Sequence, residues 1–419
     1  MNREASDANL LRTKGCGPIG PDADQNATPL RYRIFECVRA SGEISRSDVA
    51  KQLSVSPASV TASVTELMAL GLLQEDQDST RTPARGRPPV ALSVRPDSGY
   101  VVGIKLGHQR HTAMLMDAAG EPLGDVSLVC DTNRRTLARM MQETGEVLDE
   151  LLRKTHLERA DIACVGLGMP GMVDHISGQL VWSPLLTENN LPLRAMAEDV
   201  LGVPVAVDND ANLVTLAELW FGKGRAMADF AVVTIEQGVG MGLVINHQLY
   251  RGAGALGMEL GHTKVQMDGA LCQCGQRGCL EAYVADYALV REASTALDRP
   301  DVRVLDSEAM LQELFAQAKA GNEAARVIFH RAGRYLALGL ANVVNIFDPP
   351  LVILAGERMQ YDYLYADDVI REMHRLALNR DDDRTQKVET HAWGDLMWAR
   401  GAAALALSEI AQAMAARPL

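Results

Sequence analysis

The 419-residue chain lacks any apolar run long enough to span a bilayer. It also lacks the apolar core of a secretory signal: residues 1–28 are polar and rich in Asp, Asn and Gly, and are expected to form a disordered tail. These absences predict a cytoplasmic chain with no membrane insertion. An overall positive charge is missing too. The net charge is −13, which argues against a protein that coats nucleic acid along its whole surface. Cysteine is sparse, seven in all, so no general disulfide framework is expected in a compartment that keeps thiols reduced.

What is present is unevenly placed. Residues 1–95 hold 12 of the 41 Lys+Arg and 11 of the 54 Asp+Glu, so the head is nearly neutral and the remaining body strongly acidic. Three of the seven cysteines fall within Cys272-Gln273-Cys274-Gly275-Gln276-Arg277-Gly278-Cys279, and Gly261-His262 precedes them by one short loop. Thiolate and imidazole are the ligands tetrahedral zinc prefers, and a closed Cys3His set is structural rather than catalytic. Gly275 and Gly278 let the backbone turn the three sulfurs toward one point. Buried or redox-active thiols are the plainer reading.

The head, residues 29–95, carries three helical segments. Leu30 to Ala40 has apolar residues at helical spacing and stops at Ser41-Gly42. Ser45 to Asp48 reads as a capping box that starts a second helix. Ser56-Pro57 starts a third, with Pro57 in the first turn, Val60, Val64, Leu67 and Met68 on its apolar stripe, and Gly71 as its left-handed stop. Its other face offers Ser59, Thr61, Ser63 and Thr65, hydroxyls small enough to approach phosphates and base edges. Leu72 to Asp76 and Val90 to Val94 are expected to pair as a hairpin, with Arg81, Arg85 and Arg87 in its loop. That is the pattern of a winged helix-turn-helix, with Ser56, Ser59, Thr61, Ser63 and the three arginines as expected contacts to double-stranded DNA. A small three-helix interaction domain is the bland alternative.

From Gly99 the pattern becomes α/β, with strands and crossing helices in two lobes, one over 98–225 with 399–419 and one over 226–398. Four loops carry polar or glycine-rich chemistry. They are Gly166 to Asp174; Asp208-Asn209-Asp210-Ala211-Asn212; Gly238-Val239-Gly240-Met241-Gly242; and Glu259 to His262, leading through the cysteines to Glu281. An amide and a carboxylate at Asn209 and Asp210 can bind adjacent hydroxyls, although an Asn-Asp pair is more often only a helix cap.

In order and spacing, from residue 29 to the end, this set resembles the ROK family (repressors, open reading frames and sugar kinases). Glu-x-Gly-His, Cys-x-Cys-Gly-x-x-Gly-Cys-Leu-Glu and Asn-Asp-x-Asn carry the likeness. The resemblance implies a two-lobed actin-like, hexokinase-like fold. It implies structural Zn2+ on His262, Cys272, Cys274 and Cys279, and a sugar held by Asn209, Asp210, Glu259, His262 and Glu281. In the family's kinases the residue matching Asp210 is the general base. Their nucleotide side, however, is altered in this chain. Lys105-Leu106-Gly107-His108-Gln109 replaces an Asp-x-Gly-Gly-Thr phosphate loop, Glu236-Gln237-Gly238 replaces Gly-Thr-Gly, and Ala355-Gly356-Glu357 replaces a Gly-Gly turn.

Intact sugar residues beside a changed nucleotide side predict a sensor with no enzymatic activity. It would be a homodimer or homotetramer binding operator DNA through its heads, with a monosaccharide or sugar phosphate as effector. Two other readings stay open: an active ATP-dependent hexose kinase with a fused head, and a regulator with a vestigial sugar site that answers to a protein. Ser183-Pro184-Leu185-Leu186 places leucine where many family members have a sugar-contacting asparagine, so the particular sugar is not transferable.

Overall fold

The computed structural model describes residues 15–20, 28–76, 90–296, 307–356, 367–378, 387–391, 394 and 396–416. They divide into two compact units: the described parts of 1–228, 244–249 and 396–419, and those of 229–243 and 250–395. No helix of the described residues is long and apolar enough to cross a membrane.

The head begins with the Leu30–Ser41 helix. The Arg46–Gln52 helix follows, capped by Ser45, whose side chain accepts from the Asp48 N–H. The Pro57–Ala69 helix is capped by Ser56 and stops where Gly71 takes φ +73°. Leu73–Asp76 and Ala91–Val94 pair antiparallel, as the hairpin pattern predicts. A two-residue strand not foreseen in the sequence, Ile44–Ser45, pairs with Ala91–Val94 to give a three-stranded sheet. Ile34, Val38, Val49, Val60, Val64, Leu67 and Leu92 close the core beneath it. Arg81, Arg85 and Arg87 lie outside the described residues, as does Glu357.

The body of the first unit holds a five-stranded sheet in the order Val205–Asn209, Ile162–Met169, Tyr100–Lys105, Arg110–Asp117, Pro122–Val129. The last three form an antiparallel meander; the first two add in parallel. The Leu137–Thr155 and Leu193–Leu201 helices pack with it, burying Met140, Leu148, Leu151 and Leu201. The Met397–Ala416 helix comes so close to the sheet that a Cβ on Gly103 would stand 2.0 Å from the Ala399 carbonyl oxygen, and one on Gly166 1.8 Å from that of Ala402. These two glycines are therefore required by backbone approach. Gly166→Ala is expected to cost about 3 kcal/mol in urea unfolding, the upper part of the overpacking range. A loss below about 0.5 kcal/mol would show that the helix can shift without penalty.

The expected tail over 1–28 does not hold for residues 15–20, which pack against both head and body. Cys16 N–H donates to the Arg39 carbonyl at 3.0 Å, and Gly17 N–H to that of Trp220 at 2.9 Å. The Cys16 side chain is 2 % exposed, and its Sγ donates to the Ala119 carbonyl at 3.2 Å. Burial pushes its thiol up to about 11. Gly15 has φ +85°, and a Cβ there would fall 2.4 Å from the Arg39 oxygen, so only glycine fits. The polar composition of 1–28 hid this clip, because its anchoring is by backbone groups and one cysteine.

The second unit is built on a five-stranded sheet in the order Gln248–Tyr250, Val239–Ile245, Phe230–Ile235, Leu351–Ala355, Lys387–His391. Phe230–Ile235, Leu351–Ala355 and Lys387–His391 run parallel. Counted along the chain, both five-stranded sheets wind in the same order, third-second-first-fourth-fifth. The Glu323–Phe347 helix supplies Phe329, Leu336 and Leu340 to the core of the second unit, joined by Leu311 and Leu314 from the Ser307–Lys319 helix.

Candidate functional site

The Cys272–Cys279 segment folds as a tight knuckle. Cys272 N–H donates to the Gln276 carbonyl at 2.8 Å and Gly275 N–H to that of Cys272 at 3.0 Å. Gly275 and Gly278 both take positive φ, +84° and +77°, and a Cβ on Gly278 would stand 1.8 Å from the Gln266 oxygen. The glycines do what their spacing predicts. The ligand atoms of His262, Cys272, Cys274 and Cys279 all lie within 4.8 Å of one another. Cys272 Sγ is 3.7 Å from His262 Nδ1, and Cys274 Sγ is 3.8 Å from Cys279 Sγ. Two sulfurs on one tetrahedral zinc at about 2.3 Å each stand about 3.8 Å apart, so the Cys274–Cys279 separation and the donor set as a whole fit that ion. No disulfide joins these thiols.

Three residues contact the knuckle. Lys264 Nζ lies 2.9 Å from Cys279 Sγ, where an ammonium offsets the charge of a thiolate. Its own pKa is raised by that hydrogen bond. Tyr287 hydroxyl donates to Cys272 Sγ at 3.6 Å and to Glu281 Oε1 at 3.4 Å. Glu281 is 8 % exposed, and its Oε2 accepts from the Val239 N–H at 3.3 Å. One carboxylate thus ties the cysteine knuckle to the Gly238–Gly242 loop. Gly238 leaves room for it, since a Cβ there would meet Glu281 Oε2 at 2.9 Å. Sequence reasoning missed Lys264 and Tyr287, which belong to no motif.

Of the five expected sugar contacts, Glu259, His262 and Glu281 belong to the second unit and Asn209 and Asp210 to the first. Glu259 opens the short Leu260–His262 turn, and His262 N–H donates back to its carbonyl at 3.0 Å. Asn209 ends the Val205–Asn209 strand and caps the Asp210–Phe221 helix, its Oδ1 accepting from Asn212 N–H at 2.8 Å. The cap reading is therefore correct for Asn209, and capping uses only the side-chain oxygen, not the amide N–H groups. Asp208, fully buried, accepts from Asn212 Nδ2 at 2.7 Å and from the Asn209 N–H at 2.9 Å. It fixes the turn that presents the pair. Asp210 sits in the first helical turn, where the N-terminal dipole favours a carboxylate. Leu185 and Leu186 are buried in the core of the first unit, and Ser183 Oγ donates to the Pro170 carbonyl at 2.7 Å.

The Lys105–Gln109 loop is tied to a side chain of the strand that follows it, Arg110–Asp117. Gly107 N–H donates to His111 Nδ1 at 3.2 Å. The other nitrogen of that ring, Nε2, is 3.1 Å from Glu143 Oε2, which Arg135 also reaches at 2.6 Å. With Nδ1 accepting, His111 is neutral and donates from Nε2, in keeping with a pKa lowered by burial. Lys105 Nζ rests 3.7 Å from the centroid of the Trp398 ring. Burial, with Lys105 and Arg135 nearby, pulls His108 down to about 4. An imidazole that titrates near 6.5 when unfolded and near 4 when folded leaves the unfolded state binding more protons between those values. Stability should fall by about 2–3 kcal/mol as pH drops through that window, and His108→Gln should flatten the slope. An unchanged slope in that variant would place the effect elsewhere.

On the head, Ser56 accepts from Ser59 N–H at 3.1 Å, and Thr61 Oγ1 donates to the Pro57 carbonyl at 2.9 Å. Ser56, Thr61 and Thr65 are exposed, whereas Ser59 and Ser63 are half-buried. The outward face of the helix is thus narrower than the four hydroxyls implied.

A model described as the ROK family matches residues 101–409. A xylose repressor from Caldicellulosiruptor bescii is 28% identical over 329 residues, 77% of this chain and 81% of that protein. The DNA-binding transcriptional dual regulator NagC of Escherichia coli is 26% identical over 332 residues, 78% and 80% of the two chains. Among solved structures, a ROK family transcriptional regulator described as a homologue of the E. coli MLC protein superposes with TM-score 0.75 over 92% of this chain and 97% of its own, at 24% identity. The ROK hexokinase of Thermus thermophilus superposes with TM-score 0.63 at 29% identity, over 75% of this chain and 99% of its own.

Proposed function

The chain belongs to the ROK family, and from that premise we propose that it is a sugar-responsive transcriptional repressor of carbohydrate uptake or catabolism genes. The observation that carries the proposal is the contrast between the two sets of loops. The residues suited to sugar hydroxyls are kept and held by capping and buried hydrogen bonds, while the loop after the first strand has its Gly107 N–H taken by His111. Phosphoryl transfer needs backbone N–H groups and cations free to meet phosphates. A loop tied to the His111 imidazole, which Glu143 in turn holds, supports a protein without enzymatic activity. An ATP-dependent hexose kinase is the alternative; the hexokinase likeness leaves the head unaccounted for, covering 75% of the chain. Release of ADP on mixing with ATP and a sugar would favour that alternative.

In the proposed mechanism, Asn209 Nδ2 donates to one sugar hydroxyl, Asp210 accepts from its neighbour, and Glu259, His262 Nε2 and Glu281 complete the set. His262, Cys272, Cys274 and Cys279 would hold a structural zinc ion, whose bonds would steady the loop that carries Glu281. The Pro57–Ala69 helix enters the major groove of operator DNA through Ser56, Ser59, Thr61 and Ser63, with Arg81, Arg85 and Arg87 against the backbone or in the minor groove. Two heads in a dimer, or in a tetramer built from dimers, read two half-sites. DNA as the target places the protein in the cytoplasm. The sugar releases the operator by binding the non-repressing state more tightly.

The test is a thermal-unfolding screen of zinc-loaded protein against monosaccharides and their phosphates. A ligand at a hundred times its dissociation constant adds about 2.7 kcal/mol. One stabilising sugar that also weakens operator binding supports the reading; no response to any sugar overturns it.

A further inference from the structure

We propose that the Asp210–Phe221 helix and the turn after it are the mechanical link by which the sugar site controls the DNA-reading head, with Arg225 as the positioning residue that joins them. The inference rests on the sensor reading above. One end of this helix is the Asn209 cap, beside the Asp210 carboxylate. Its other end is in the head's anchorage, about 18 Å away for 12 residues. Every residue from Ala211 to Phe221 is buried, so the helix is packed all round and transmits displacement rather than absorbing it.

At the far end three segments meet. Gly17 N–H donates to the Trp220 carbonyl, and the Arg39 guanidinium of the head's first helix lies 4.3 Å from the centroid of the Trp220 ring. Arg225 Nε donates to the Gly17 carbonyl at 3.0 Å, and one of its terminal nitrogens donates to that of Ala40 at 2.6 Å. Ala40 lies in the Leu30–Ser41 helix of the head. Arg39 also donates to the Leu407 carbonyl at 3.4 Å, and Ala411 of the same C-terminal helix is part of the head's apolar cluster. Arg225 is 5 % exposed. Burying a guanidinium is costly unless its donors are met, and these donors are met by two carbonyls from separate segments. The clip, the head helix and the turn must therefore stay in register. A shift at the Asn209 end then moves the head instead of dissipating in a linker.

The test is Arg225→Met in the full-length protein, with Arg225→Lys as the conservative partner. Operator affinity is measured with and without the stabilising sugar, and sugar affinity separately. In Arg225→Met the sugar-dependent change in operator affinity should shrink at least tenfold. Sugar affinity and sugar-free operator affinity should each move less than threefold. Lysine, which can still donate to one carbonyl, should restore part of the response. An unchanged response overturns the link. Hydrogen exchange supplies a readout that needs no sugar: amides of 34–41 should exchange at least tenfold faster in Arg225→Met, and unchanged exchange overturns the link even if no effector is found. A wild-type chain that ignores every sugar overturns the sensor reading instead. If Arg225→Met does not fold, Gly15→Ala dislodges the clip from the Arg39 carbonyl and is read in the same way.

Discussion

Cys279→Ser should abolish the proposed zinc binding and collapse the segment between His262 and Glu281. Wild-type protein prepared with zinc is expected to carry about one ion per chain, as a closed Cys3His site does. The serine variant should retain little, because apparent binding energies of such sites in small peptides are about 10–16 kcal/mol and depend on every ligand. The effect should spread beyond the knuckle. Glu281 follows Cys279 by two residues, and its carboxylate holds Val239 N–H of the neighbouring glycine loop. Losing the metal therefore releases two loops, and sugar affinity should fall with it although no sugar contact has been mutated. Metal analysis, melting temperature and sugar titration read the three effects separately. If the variant binds zinc and sugar as the wild type does, the cysteines are ordinary buried thiols. Chelation of the wild type by a strong ligand should reproduce the mutant.

Asp210→Ala should abolish the response to sugar and leave the repressor's grip on DNA intact. A hydrogen bond to a charged group contributes about 1.5–3 kcal/mol, so loss of the carboxylate proposed to accept from a sugar hydroxyl should weaken sugar binding by about 10- to 150-fold. The helix itself should lose only about 0.3–1 kcal/mol of dipole stabilisation, because Asn209 still provides the cap. Operator affinity without sugar should therefore stay within threefold of wild type. Loss of operator binding in this variant would mean that Asp210 supports the fold of the head-bearing unit rather than the effector.

The sequence disclosed those parts of the molecule whose chemistry is local. The knuckle glycines, the Ser45 and Ser56 caps and the Gly71 stop are dictated by neighbours within a few residues, and each is found where the spacing puts it. The three head helices and the head hairpin are legible for the same reason, since their apolar spacing is a local signal. What escaped is held by groups that carry no sequence pattern. The Gly15–Gly20 clip is anchored by carbonyls of Arg39, Trp220 and Arg225, which any residue can offer. Lys264 reaches Cys279 only because a short bridge pairs the two residues. The closure of the Lys105–Gln109 loop needs His111 of a strand, Glu143 of a helix and Arg135 of the segment before that helix to converge, and only the tertiary structure shows that they do. Read as motifs, the four hydroxyls of the third helix also overstated the exposed face, because burial is set by the sheet and helix behind it.

The shared winding of the two sheets has a consequence for how such a chain changes over time. In each sheet the hairpin between first and second strands, 106–109 in one and 236–238 in the other, occupies the same station in the winding. If a single ancestral unit was copied, these are two descendants of one loop, each free to mutate without disturbing its twin. A duplicated architecture of this kind lets one inherited capability decay while another is conserved a few strands away. Under the proposed function, such a history would give a receptor on the frame of a catalyst, with no new fold required.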